Sequence, residues 1–135
     1  MVNELSKIML KILPIHALRP HEEFDRDHAR KLSNEIANTG FWSSPIVCDA
    51  ESQIIMDGHH RFASAQLLGL KYIPCFCIPY DKKYVSVETW RESEKITVQD
   101  ILTCVKENRL MPQKSTKHLL TIPLIKSHIP LSILR

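Results

Sequence analysis

The stretch Ile54-Ile55-Met56-Asp57-Gly58-His59-His60-Arg61-Phe62-Ala63-Ser64-Ala65 makes a strand stop and a helix start within two residues. The apolar triplet reads as a buried strand, and Asp-Gly breaks it. Helical spacing then carries Phe62, Ala63, Ala65, Leu67 and Leu68. His59, His60 and Arg61 therefore fall on the first turn of a helix. Main-chain N–H groups lack partners there, and the macrodipole is positive. Gly58 lets a ligand approach the backbone closely. This arrangement suits an anionic group, most simply a phosphate. A merely solvated polar turn is the competing reading. A zinc site made by Asp57, His59 and His60 is disfavoured, because adjacent side chains on a helix diverge by about 100°.

A length of 135 residues fits one domain, 1–135, with a real core. The apolar fraction is 44%, yet no apolar run approaches the length of a membrane span. Met1 to Lys7 lacks a signal-peptide pattern, so a cytoplasmic protein without a membrane partner is expected. Cys75 and Cys77 flank Phe76 in a strand and share one face, which is not a zinc-finger spacing. With Cys48 and Cys104 they read as buried free thiols. A net charge of +3, with basic and acidic residues interspersed, is too mild to imply a nucleic-acid partner.

A first strand is expected from Met9 to Leu18, followed by the loop Leu18-Arg19-Pro20-His21-Glu22-Glu23. Asp25 reads as the N-cap of a helix running to about Asn38, with Gly40 ending it and Ala29, Leu32 and Ile36 as its apolar stripe. Short strands follow at Pro45–Cys48 and Ile54–Met56. The helix after Asp57 should end near Gly69. Ile73–Pro79 reads as a strand whose prolines, Pro74 and Pro79, mark its ends or a sheet edge. Val85–Trp90 alternates like a strand. Thr97-Val98-Gln99-Asp100 opens a helix in capping-box fashion through about Glu107. Met111–His118 reads as a polar loop, and the tail to Leu134 as an edge strand or irregular packing. Strands and short helices alternate irregularly, which predicts a single compact α+β domain with a small mixed sheet.

Asp57-Gly58-His59-His60-Arg61-Phe62, with Ala65, Leu67-Leu68-Gly69 and Ile73-Pro74, resembles the ParB/sulfiredoxin-like superfamily over nearly the whole chain. Sulfiredoxins carry Gly-Cys-His-Arg and use the Cys; His59 stands in its place, so that activity is excluded. Partition ParB proteins carry Gly-Glu-Arg-Arg, which differs at His59-His60. The Asp-Gly-His-His-Arg form is similar to the free L-serine kinases. Leu18–Glu23 resembles their loop with a catalytic glutamate, and Gln113-Lys114-Ser115-Thr116-Lys117-His118 resembles their substrate loop. Trp90 sits after a strand where those kinases also place a Trp. Two departures stand out. The better-known kinases have extra sequence between that Trp and the last loop. Lys117 also replaces a common Arg, keeping charge but losing bidentate geometry.

The resemblance implies a kinase that uses ATP or ADP with Mg²⁺ and makes O-phospho-L-serine from free L-serine. Glu22 would take the hydroxyl proton, with Glu23 as the alternative by register, and Asp57 would hold Mg²⁺. Gly58, His59, His60 and Arg61 would cradle the phosphates. Trp90, Ser115, Thr116, Lys117 and His118 would bind the amino acid or its product. By composition alone Glu22 reads as a solvated loop acid, Asp57 equally as a turn former, Arg61 as a surface helix charge, Trp90 as a packing aromatic, and Thr116 and His118 as ordinary polar loop. Trp42, His16, His21, His28 and His128 read as structural or solvent-exposed. The alternative is a nucleotide-binding ParB-like regulator that binds DNA or a partner without metabolic turnover.

Overall fold

A computed structural model describes residues 9–89, 95–112, 115–124 and 126–135. The expectation for Trp90 therefore lies outside the described residues, as do Gln113 and Lys114 of the last loop. In chain order the elements are β1 (Met9–Pro14), a 3₁₀ turn (Ile15–Ala17), α1 (Arg26–Thr39), β2 (Phe41–Trp42), β3 (Ile46–Asp49), β4 (Ile55–Asp57), α2 (His59–Leu67) and β5 (Tyr72–Ile78). There follow β6 (Val85–Glu88), α3 (Val98–Lys106), β7 (Lys117–Leu120), β8 (Ile129–Pro130) and α4 (Leu131–Leu134).

The main sheet has the order β1-β5-β3-β4. β1 and β4 run antiparallel to their neighbours, and β3 runs parallel to β5, so the sheet is mixed as expected. Side chains alternate across it with period two. Ile46, Cys48, Ile55, Ile73, Cys75 and Cys77 face one core with Trp42, Phe62 and Leu134. Val47, Met56, Phe76 and Ile78 face a second with Tyr84 and Val85. Both faces are covered, which is why β3 and β5 read as unbroken apolar runs. All four cysteines are buried and free, with Cys75 and Cys77 on one face.

Two helices carry the functional loops. Asp25 caps α1, its Oδ1 accepting from Asp27 N at 2.9 Å and His28 N at 3.3 Å, and Gly40 ends the helix at φ 77°. α1 buries Ala29 and Ser33; Leu32, expected on the apolar stripe, is only half-buried and lines a cleft instead. α2 packs on α1 through small residues: Ser64 Oγ lies 2.8 Å from Ala29 O, in the middle of the contact. The Thr97–Asp100 capping box forms, with Asp100 N donating to Thr97 Oγ1 and Thr97 N to Asp100 Oδ2.

The structure corrects three local expectations. β1 stops at Pro14, and a 3₁₀ turn takes up the remainder to Ala17. Pro74 sits inside β5 opposite Ile12, in a strand flanked by β1 and β3; the pairing with β3 starts one residue later, at Cys75, so the ladder on that side begins just past the missing donor. Lys117 and His118 are not loop residues but open β7, which pairs antiparallel with β6 from Glu88↔Lys117 to Val85↔Leu120. The tail supplies β8, which pairs with β2, and α4, which buries Leu131 and Leu134. No helix among the described residues is long and apolar enough to cross a membrane.

Candidate active site

A cleft of about 710 Å³ opens where four segments converge. Glu22, Glu23, Asp25 and His28 come from the loop before α1 and its first turn. Ser44 and Pro45 precede β3. Met56 to Arg61 span the β4–α2 junction. Thr116, Leu124 and Lys126 come from the C-terminal region. Glu22, Asp57 and Thr116, far apart in sequence, thus share one cavity wall.

Gly58 makes the junction possible. It adopts φ 111°, and a Cβ there would stand 3.1 Å from Ile46 Cγ1 and 3.3 Å from Arg61 Nη2. No side chain caps α2, so the helix N-terminus facing the cleft keeps its donors for an anion. Gly58→Ala combines a strained φ with a close contact. It should lower stability by about 1–3 kcal/mol, read as a lower urea midpoint at unchanged m.

The two histidine rings do something sequence reasoning did not show. His59 Nε2 accepts from the backbone N–H of His21 at 3.2 Å, and His60 Nε2 accepts from the backbone N–H of Asp25 at 3.0 Å. The rings thereby hold both ends of the loop that carries Glu22. His60 also stacks on His28, with ring centroids 4.3 Å apart. Burial, then the nearby His21, His118 and His60, pushes the His59 pKa well below its ordinary value, which suits a ring that accepts at Nε2. Each Nε2 is thus engaged by the loop.

Glu22 is held from behind. Its Oε2 accepts from Thr116 Oγ1 at 2.9 Å, and its side chain is 12% exposed, whereas Glu23 is exposed. Main-chain bonds from Met111 N to His21 O (2.8 Å) and from Glu23 N to Met111 O (2.7 Å) fasten the loop. Among the described residues of the last loop, only Thr116 lines the cleft. Ser115 is buried with its hydroxyl on Pro112 O; Lys117 lies on β7 opposite Glu88; His118 Nε2 pairs with Tyr80 OH at 3.0 Å. Ser115, which precedes β7, and Lys117 and His118, which lie on it, are not among the residues that line the cleft.

His21 is buried and His118 half-buried with its Nδ1 enclosed, and both rings are held neutral. Burial is the largest cause in both, pulling His21 down to about 4 and His118 to about 3. The Ile55 and Met56 main chains oppose the shift, and His21 adds to that of His118. In the unfolded chain each titrates near 6.5. As pH falls below that value, the unfolded chain binds protons that the folded one refuses. Stability present above pH 6.5 is then lost down to about pH 4, by up to about 1.4 kcal/mol per pH unit for each ring. Urea midpoints measured across that window should fall steadily; a flat profile would show that the rings carry charge inside the fold.

Arg61 faces inward. Its Nη1 donates to Ser44 O at 2.9 Å and Pro45 O at 2.7 Å, and its Nη2 to Asp57 Oδ2 at 3.2 Å. Burial lowers its pKa, and Asp57 pulls it back up. The guanidinium thus joins the pre-β3 loop to the β4–α2 turn. The Asp57 carboxylate remains 60% exposed to the cleft. Among the described residues no group of three His, Cys, Asp or Glu side chains is arranged to hold a metal ion alone. Asp57 on its own suits a Mg²⁺ that takes its other ligands from phosphates and water. Sequence reasoning missed His21, His28, Ser44 and Lys126; the only signal was the position of His21 beside Glu22.

A small mixed sheet and an uncapped, glycine-started helix opening onto a cleft at one strand–helix junction define an α+β domain. Residues 1–93 match the ParB N-terminal domain, and the chain belongs to that family. It is 34% identical over 86 residues to a ParB-like protein of Sulfolobus acidocaldarius, covering 64% of this chain and 43% of that protein. It is 27% identical over 100 residues to an ATP-dependent L-serine kinase of Staphylothermus marinus, covering 71% and 40%. The chain thus spans less than half the length of these relatives. Its fold is similar to that of a free serine kinase in complex with AMP, with a TM-score of 0.83 at 15% identity over 93% of each chain.

Proposed function

We propose that this domain transfers a phosphoryl group from a nucleotide, ATP or ADP, to the hydroxyl of free L-serine, giving O-phospho-L-serine. The observation that carries this reading is the opening of Glu22, Asp57 and the uncapped α2 N-terminus onto one cleft. A serine hydroxyl is a poor nucleophile and needs a positioned base and neutralised phosphates. Glu22 takes the hydroxyl proton as the serine oxygen bonds to phosphorus and the nucleotide oxygen leaves. The main chain of Gly58 to His60 receives the phosphates, and the His59 and His60 rings keep the Glu22 loop against them. Asp57 would hold Mg²⁺, which would supply charge neutralisation for phosphoryl transfer. Arg61 braces the turn. Thr116 orients Glu22, while Ser115, Lys117 and His118 form the support behind it. Trp90 is assigned to the amino-acid pocket. The L-serine kinase among the relatives supports the reaction class, and the four free thiols accord with a reducing, cytoplasmic compartment.

The test is mass spectrometry of products after incubation with Mg²⁺, each nucleotide and a panel of hydroxy amino acids. Phosphoserine formed in preference to the other products supports the reading. Nucleotide binding without any phosphorylated product would overturn it in favour of a ParB-like regulator.

A further inference from the structure

We propose that His21 is a positioning residue that sets the orientation of Glu22 through the Thr116 hydroxyl. Its consequence for turnover rests on the kinase reading above; the hydrogen-bond chain itself does not.

Thr116 Oγ1 lies 2.9 Å from Glu22 Oε2 and 2.9 Å from His21 Nε2. A hydroxyl has one proton to give, and an ionised carboxylate can only accept. The Thr116 proton therefore goes to Glu22, and His21 must present an N–H at Nε2 to the hydroxyl oxygen. Nδ1 is then the unprotonated nitrogen. It is buried and has no hydrogen-bond partner; the nearby Ile55 main chain favours a proton on the ring without making a bond of acceptable geometry. A buried lone pair left alone is tolerated better than a buried N–H left alone. The groups around the ring are Glu22, with Oε2 3.8 Å from Nε2, and the His59 and His118 rings, with centroids at 4.7 and 5.8 Å.

The ring is itself immobilised. His21 is fully buried, its N–H bonded to His59 and its carbonyl to Met111 N. The chain His21–Thr116–Glu22 thus runs from a fixed anchor to the carboxylate at the cleft. It ties together two segments 94 residues apart. His21 does not line the cleft, so it acts on the reaction only through Thr116.

Two substitutions separate this role from simple packing. A glutamine amide nitrogen reaches roughly where imidazole Nε2 stands, whereas an asparagine reaches only Nδ1. His21→Gln should keep kcat within a few fold. His21→Asn should lower kcat by up to roughly tenfold, the worth of one buried hydrogen bond between neutral groups, with KM for nucleotide unchanged. Thr116→Val should lose at least as much, and His21→Asn should add nothing on that background. A readout independent of turnover is ¹⁵N NMR of the His21 ring. It should show the Nε2–H tautomer in the unaltered protein and a shift toward Nδ1–H in Thr116→Val. An Nδ1–H ring in the unaltered protein would overturn the proposal, as would full kcat in a folded His21→Asn. If His21→Asn does not fold, the ring tautomer and Thr116→Val decide. If no phosphorylated product forms at all, the kinase reading fails, and the tautomer measurement still judges the hydrogen-bond chain.

Discussion

Glu22→Gln should lower turnover by about two to four orders of magnitude while leaving nucleotide and serine binding nearly unchanged. The amide has the shape of the carboxylate, and its oxygen can still accept from Thr116 Oγ1, so the loop keeps its position. What it cannot do is take the proton of the attacking hydroxyl. Glu23→Gln is the control: its side chain is exposed and the Thr116 bond belongs to Glu22, so turnover should stay near that of the unaltered protein. Phosphoserine production read by mass spectrometry, beside nucleotide affinity from calorimetry, checks both. Loss with Glu23→Gln and retention with Glu22→Gln would move the base by one residue. Retention in both would remove base catalysis from this loop.

Arg61→Ala should be the most damaging substitution for the architecture of the cleft. The guanidinium satisfies two carbonyls, Ser44 O and Pro45 O, and pairs with Asp57 across the turn. Its side chain is only 19% exposed, so these bonds are largely shielded from water. Hydrogen bonds to a charged donor are worth about 1.5–3 kcal/mol each, and their loss leaves carbonyls without a partner. A stability loss of roughly 2–4 kcal/mol is expected, with weaker nucleotide binding because Gly58 and Asp57 lose their brace. Arg61→Lys should recover only part of it, since an ammonium cannot fork to two carbonyls and a carboxylate in the same geometry. Urea unfolding measures the first effect and calorimetry the second. Unchanged stability with lost nucleotide affinity would instead make Arg61 a direct phosphate ligand, as the sequence resemblance implies.

Much of the local structure was legible because local chemistry decides it. Asp25 and Gly40 bound α1 as their cap preferences require, and Thr97 with Asp100 starts α3. The change from an apolar triplet to helical spacing across Asp57-Gly58 marks β4 and α2. Pro74 misled, because a proline is excluded from a ladder only at the positions that must donate, and the register that spares it depends on two other strands. Lys117 and His118 looked like loop because a polar strand has no period to detect; their strand exists by pairing with β6.

The candidate site divides the same way. The glycine, the acid and the helix start at residues 57–61 follow from residue type and short-range spacing, whereas Glu22 stands out only through the family resemblance of its loop. These local terms are the same wherever the segment is placed. What each side chain bonds to was decided by the tertiary structure. His59 and His60 turn their rings to a loop 38 and 35 residues earlier, Arg61 reaches back to Ser44 and Pro45, and Thr116 meets Glu22 and His21 from the far end of the chain. A histidine or arginine can serve a ligand or a neighbouring carbonyl equally well by its own chemistry. The choice falls to whichever partner burial leaves within reach, because a buried polar group must be satisfied by what packs against it.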